Sequence, residues 1–168
     1  MLHSNRELFE QTVLRTADAT GIAASIIEKD YYVTEFLRKL TSYQPDIVFK
    51  GGTSLSKCYK LIQRFSEDID LNVEDRPSEG QRKALKRNIV AVIDDLDLSL
   101  SNAEEIRSRR DYNRYIINYP ALQGAAYLKQ QLIVETVVSM RAFPNHPMDA
   151  SSLIYDFLKD SGRDDIIR

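Results

Sequence analysis

The chain has 168 residues, 23 Lys plus Arg against 25 Asp plus Glu, a formal net charge of −2, one cysteine and no tryptophan. That length suits one domain able to bury a real core, and the lone Cys58 excludes an internal disulfide framework and a cysteine-rich zinc site. No apolar run approaches the roughly 20 residues that cross a bilayer, no basic-then-apolar leader opens the chain, and mild acidity argues against a surface that coats nucleic acid non-specifically, so a cytoplasmic protein without a membrane partner is expected.

Ser4 with Glu7 three residues later predicts a capping box opening a helix to about Ala17, with Leu8, Val13 and Leu14 inward. Gly21 punctuates, and a second helix is expected from about Ala23 to Leu40 on the stripe Ile26, Val33, Leu37 and Leu40. Residues 46–50, bounded by Pro45 and Gly51, read as a strand. A helix from Thr53 to about Ile62 follows the Gly51-Gly52 break, with Leu55, Tyr59 and Ile62 inward. Residues 68–73 alternate, with Ile69, Leu71 and Val73 on one face and Asp68, Asp70 and Asn72 on the other. Ser78 caps a helix to about Asp94; strands are expected over 96–100, 112–119 and 132–138, and a last helix starts at Asp149 or Ser151.

No repeat or Gly/Ser linker divides the chain, so residues 1–168 read as one domain: helices over 4–40, a sheet core over 46–141 and a helical segment over 149–168. Helices first and strands of mixed direction afterwards predict an α+β fold, a mixed sheet flanked by helices.

Three pieces carry chemistry. In Phe49-Lys50-Gly51-Gly52-Thr53-Ser54-Leu55-Ser56-Lys57 a strand ends in two glycines and a helix starts with hydroxyl residues. Free amides and the helix dipole there suit an anion, although the same residues make an ordinary capped strand-to-helix turn, and the spacing is not that of a P-loop. In Arg64-Phe65-Ser66-Glu67-Asp68-Ile69-Asp70-Leu71 two carboxylates leave one face of a strand. Such a pair persists cheaply only beside a cation, and Mg²⁺ takes one or two carboxylates plus phosphate oxygens; a solvated edge-strand face is the plainer alternative. Glu135 interrupts the apolar run 132–138 and needs a partner, with Arg141 or Arg114 available, or a metal ion.

Together the three pieces have the layout of the nucleotidyltransferase superfamily. The blocks 49–57 and 62–71, with Glu28-Lys29-Asp30-Tyr31 and Arg110-Asp111-Tyr112 through Tyr119-Pro120, resemble the AbiEii/AbiGii-type toxin family of nucleotidyltransferases over roughly residues 25 to 141. The resemblance implies metal-dependent transfer of a nucleoside monophosphate from an NTP to an acceptor hydroxyl, on RNA such as tRNA or on protein, by a toxin with a cognate antitoxin. It implies that Gly51, Gly52 and Thr53 hold the nucleotide. Read from position alone, Lys57, one helical turn past Thr53, reaches a phosphate or is solvated, and Arg64 and Ser66, just before the aspartates, contact the nucleotide or belong to a loop ion pair with Glu67. Asp68 and Asp70 would hold Mg²⁺, with Mn²⁺ the alternative ion, and Glu135 would be the third acid of the metal and catalytic set, polarising the acceptor hydroxyl. Family members continue into a larger helical region carrying a further lysine and acid, so 149–168 is expected to be a short or truncated counterpart.

Other charges have two readings. Lys29 and Asp30 match family positions or are surface charge. Arg82, Lys83, Lys86 and Arg87 sit at helical spacing, and Arg107, Arg109 and Arg110 lie near Tyr112 and Tyr115; either group touches RNA or is solvated. His3 and His146 have no partner spacing. The competing functional reading is a non-catalytic nucleotide- or partner-binding module that keeps the fold.

Overall fold

In a computed structural model that describes residues 1–59, 68–73, 75–122, 130–139 and 144–167, two long helices come first. Helix α1 (Arg6–Thr20) follows a 3-10 turn, Leu2–Ser4. Its cap is Asn5, whose side chain accepts from the Leu8 N–H, and not Ser4, which the preceding turn absorbs through a bond from its N–H to the Met1 carbonyl. The helix ends on Gly21, in the left-handed region at φ 70°. Its buried stripe is Phe9, Thr12, Val13 and Thr16, and the expected Leu14 stands 51% exposed. Two threonines complete that stripe because their hydroxyls donate back to the Leu8 and Thr12 carbonyls at 2.7 and 2.8 Å, which leaves no polar group bare.

Helix α2 (Ala24–Tyr43) buries Ile27, Tyr31, Tyr32, Phe36 and Leu40, together with the acids Glu28 and Asp30. Strands β1 (Ile47–Lys50), β2 (Asp68–Val73), β3 (Ser99–Leu100), β4 (Tyr112–Asn118) and β5 (Gln131–Val137) form a sheet in the order β1-β2-β5-β4-β3. β2 and β5 are parallel and the other pairs antiparallel, so the fold is the expected mixed α+β type. Helix α3 (Gly51–Lys57) starts on the first glycine, two residues earlier than expected, and α4 (Glu79–Asp95) opens with a capping box between Ser78 and Gln81. The strand expected from Leu96 shrinks to two residues, since Leu96 caps α4 and Asp97 turns the chain at φ 53°. Helix α5 (Leu153–Asp160) is capped by Ser152, one residue past the expected Ser151. Among the described residues no helix is long and apolar enough to cross a membrane.

The sheet has two unlike faces. Ile69, Val134 and Tyr115 lie side by side in register, fully buried, and with Leu71, Leu132 and Ile117 they pack into one core with the buried residues of the helices. Each such side chain contributes about 1.5–3 kcal/mol by leaving water. Burying that face fixes the register, and the register then dictates which residues share the opposite face.

Candidate functional site

Residues in register across a sheet put their side chains on the same side. β1 sets Lys50 opposite Asp70, β5 sets Glu135 opposite Asp70, and β4 sets Arg114 opposite Glu135. One row therefore reads Lys50, Asp70, Glu135, Arg114: two acids between two bases. Asp68 joins on the same face of β2, two residues from Asp70. The three sequence-predicted acids are thus gathered on one sheet face by two strands far apart in sequence.

The electrostatics follow. Partial burial raises the Asp70 carboxyl above the usual range, Glu135 and Asp68 add to the rise, and Lys50 opposes it. Glu135 accepts a hydrogen bond from the Tyr112 hydroxyl at 2.8 Å, and the Arg114 Nε lies 3.6 Å from the same oxygen. Burial, then the bond to Glu135, raises the Tyr112 hydroxyl. Of the two partners foreseen for Glu135, Arg114 is the one the structure supplies, and Arg141 lies outside the described residues.

The glycine turn is built against this row. Gly51 has φ 77°, and a Cβ there would stand 2.1 Å from the Asp70 Oδ2 and 3.0 Å from its Cγ. Only glycine lets the chain turn into α3 while touching that carboxylate. The Thr53 hydroxyl donates to the Asp68 carbonyl at 2.6 Å, and the Ser54 hydroxyl to the Gly51 carbonyl at 2.8 Å, so the start of α3 is stapled to the strand carrying both aspartates. Gly51 therefore adjoins Asp70 and Thr53 adjoins Asp68, with Gly52 between them in the chain.

Helix α3 differs from the sequence reading in what it buries. Leu55 and Tyr59, expected inward, are 40% and 43% exposed, whereas Thr53, Ser54 and Lys57 are buried, and Ile62 lies outside the described residues. The Lys57 ammonium donates to the Asp30 Oδ1 at 2.6 Å, the Thr34 hydroxyl at 2.7 Å and the Ser151 carbonyl at 3.2 Å, which commits all three of its donors. Asp30 spends its other oxygen on the Leu153 N–H at 2.7 Å, at the first turn of α5. The pair joins α2, α3 and α5. Arg64 and Ser66 lie outside the described residues.

Both basic clusters are partly engaged in local bonds, while Lys83, Arg87, Arg107, Arg109 and Arg110 stand exposed. Arg82 bonds Asp111, Lys86 donates to the Ile106 carbonyl at 3.1 Å, and Lys83 pairs with Glu79. Arg107 and Arg110 donate to the Ile106 and Glu105 carbonyls. Sequence reasoning missed Lys50 as the cation facing Asp70 and missed the bond from Tyr112 to Glu135; the signal for both was strand register, which one strand read alone does not contain. It also left Asp30 undecided, although an acid flanked by core tyrosines on one helix hints at burial.

Among the described residues no three His, Cys, Asp or Glu side chains stand close enough together to hold a metal ion by themselves. The Asp68–Asp70 pair is of the kind Mg²⁺ uses when substrate phosphate and water complete its shell. Asp68 and Asp70 leave the same face of β2 and Glu135 stands in register with Asp70, an all-oxygen donor set of the kind a hard divalent cation takes, so the residues present fit.

A family model described as "Nucleotidyl transferase AbiEii toxin, Type IV TA system" matches residues 35–163, well over half of the chain. Comparisons with curated proteins and with solved structures gave no match.

Proposed function

The chain belongs to the AbiEii nucleotidyl transferase toxin family, and from that premise we propose that it transfers a nucleoside monophosphate from an NTP to an acceptor hydroxyl, on RNA or on protein, with Mg²⁺. The observation that supports this reading best is the in-register pairing of Asp70 with Glu135 while Gly51 touches the same Asp70. Sheet acids and the glycine turn form one place.

In this reading Asp68 and Asp70 would hold the metal ion, which when bound neutralises phosphate charge and orients the α-phosphorus. Gly51, Gly52 and Thr53 line the approach of the triphosphate: Gly51 makes room for the Asp70 carboxylate, Gly52 offers phosphate a bare backbone, and the Thr53 hydroxyl keeps the turn pressed on β2. Lys50 and Arg114 flank the two central acids and balance charge that develops on the phosphate. Glu135 takes the proton of the attacking hydroxyl. The family's type IV toxin–antitoxin description makes a cognate antitoxin the expected partner.

The test is transfer of label from each of the four α-³²P NTPs to total RNA in the presence of Mg²⁺, with the Asp68→Ala/Asp70→Ala variant as control. Label on RNA with wild type only supports the reading. Saturable NTP binding by calorimetry without transfer to RNA or protein would replace it with that of a non-catalytic nucleotide-binding module.

A further inference from the structure

We propose that Tyr112 is an internal acceptor, so that with a nucleoside triphosphate in the site the protein nucleotidylates its own Tyr112 hydroxyl. The inference rests on the reading above, in which Glu135 takes the proton of the attacking hydroxyl. In the structure a hydroxyl already sits there: the Tyr112 Oη donates to the Glu135 Oε1 at 2.8 Å. The residue facing Glu135 across the ladder is Arg114, and Tyr112 reaches in diagonally from two residues along β4. The acids therefore run in sequence across the face, Asp68 and Asp70 on β2 and Glu135 on β5, with the tyrosine hydroxyl reaching Glu135 from β4.

Two further observations suit a group that reacts and is then carried outward. The Tyr112 side chain is 48% exposed, so a bulky adduct has solvent to occupy. The Arg114 Nε, 3.6 Å from the same carboxylate oxygen, stands where it can meet the phosphate charge of that adduct. A phenol is also a more acidic hydroxyl than those of serine or threonine, and tyrosine is among the side chains that form covalent intermediates. The step balances without an oxidant or reductant. The phenolic oxygen attacks the α-phosphorus of the NTP, an O–P bond forms as the bridging bond to the β-phosphate breaks, pyrophosphate leaves with the electron pair, and the phenol proton passes to Glu135 and on to water.

The full chain, incubated with each α-³²P NTP and Mg²⁺ with and without total RNA, gives the test, read by denaturing gel, intact mass and peptide mapping. We expect label on the protein, a mass gain of one nucleoside monophosphate mapped to Tyr112, and a fall to background in Tyr112→Phe and in Asp68→Ala/Asp70→Ala. Label on RNA with none on the protein overturns the inference and leaves the transfer reading standing. Label that persists in Tyr112→Phe, or an adduct mapped to another residue of the wild type, also overturns it, whatever the folding of the variant. No label on either RNA or protein removes both.

Discussion

Gly51→Ala isolates the contact between the glycine turn and the Asp70 carboxylate, and Gly21→Ala supplies its control. Both glycines lie in the left-handed region, at φ 77° and 70°. A methyl group at Gly21 meets nothing within 4 Å, whereas at Gly51 it lands 2.1 Å from the Asp70 Oδ2. Placing alanine at positive φ costs about 1–2 kcal/mol in either position. At Gly51 the Asp70 side chain must also rotate away, because its Cγ and Cβ are only 3.0 and 3.2 Å from the new atom, and leaving a good rotamer adds about 0.5–1.5 kcal/mol. Urea unfolding followed by far-UV circular dichroism should therefore show Gly51→Ala about 1 kcal/mol less stable than Gly21→Ala. The functional gap should be far wider. Moving a positioned carboxylate by about an ångström costs on the order of 10²-fold in rate, so NTP-dependent label transfer should fall by about that factor in Gly51→Ala and stay near wild type in Gly21→Ala. Equal stabilities together with full transfer by Gly51→Ala would refute the claim that this turn is fitted to Asp70.

Three other expectations follow from buried or crowded charge. Burial raises the Glu28 carboxyl from 4.5 to about 7, partly offset by the Leu122 N–H that it accepts at 2.9 Å. The folded chain thus keeps a proton that the unfolded chain has lost, so the contribution of Glu28 to stability is fully present below pH 4.5 and is lost, by up to roughly 3 kcal/mol, as pH rises through 7; Glu28→Gln should remove that component, and parallel pH profiles for the two proteins would contradict it. Lys57→Met leaves Asp30 buried without its cation and should cost about 3–5 kcal/mol in urea unfolding, partly recovered in Asp30→Asn/Lys57→Met. A variant of wild-type stability that has lost only NTP affinity would instead place Lys57 at the phosphates. Asp70→Asn removes the carboxylate crowded by Glu135 and Asp68, so it should melt higher than wild type in EDTA and lose the rise in melting temperature that Mg²⁺ gives wild type; identical Mg²⁺ responses would exclude a metal at Asp70.

Much of the architecture was readable because it is written in local pattern. The alternation of residues 68–73, the Pro- and Gly-bounded run at 46–50 and the Ser78–Gln81 cap each carry their own signal. The errors lie where polar residues do a core residue's work. α1 is rotated from its expected face because Thr12 and Thr16 bury themselves on the helix's own carbonyls, and α3 turns Leu55 outward because Lys57 finds Asp30 inside. A scale that scores threonine and lysine as solvent-facing has no means of foreseeing either, since the compensating partner is a backbone carbonyl in one case and a residue 27 positions away in the other.

The same reasoning explains why two lysines of one motif have such different surroundings. Lys50 and Lys57 bracket the glycine turn, and helical spacing singled out Lys57 because it lies one turn beyond Thr53. Spacing along a helix says which residues share a face, but not whether that face meets the site or the core. The β1–β2 ladder settles Lys50, which must stand beside Asp70 once Phe49 pairs with Leu71 and the apolar side of β2 is buried. Lys57 follows from the other constraint: α3 leaves the sheet at Gly51, and six residues later its buried side faces α2, where Asp30 and Thr34 lie one helical turn apart. A lysine at the end of a strand inherits its partner from the register of the sheet, and one on the following helix inherits its partner from the neighbouring helix. The charge that opposes Asp70 is therefore supplied by the residue before the glycines, and the residue after them secures the helix that presses those glycines onto the carboxylate.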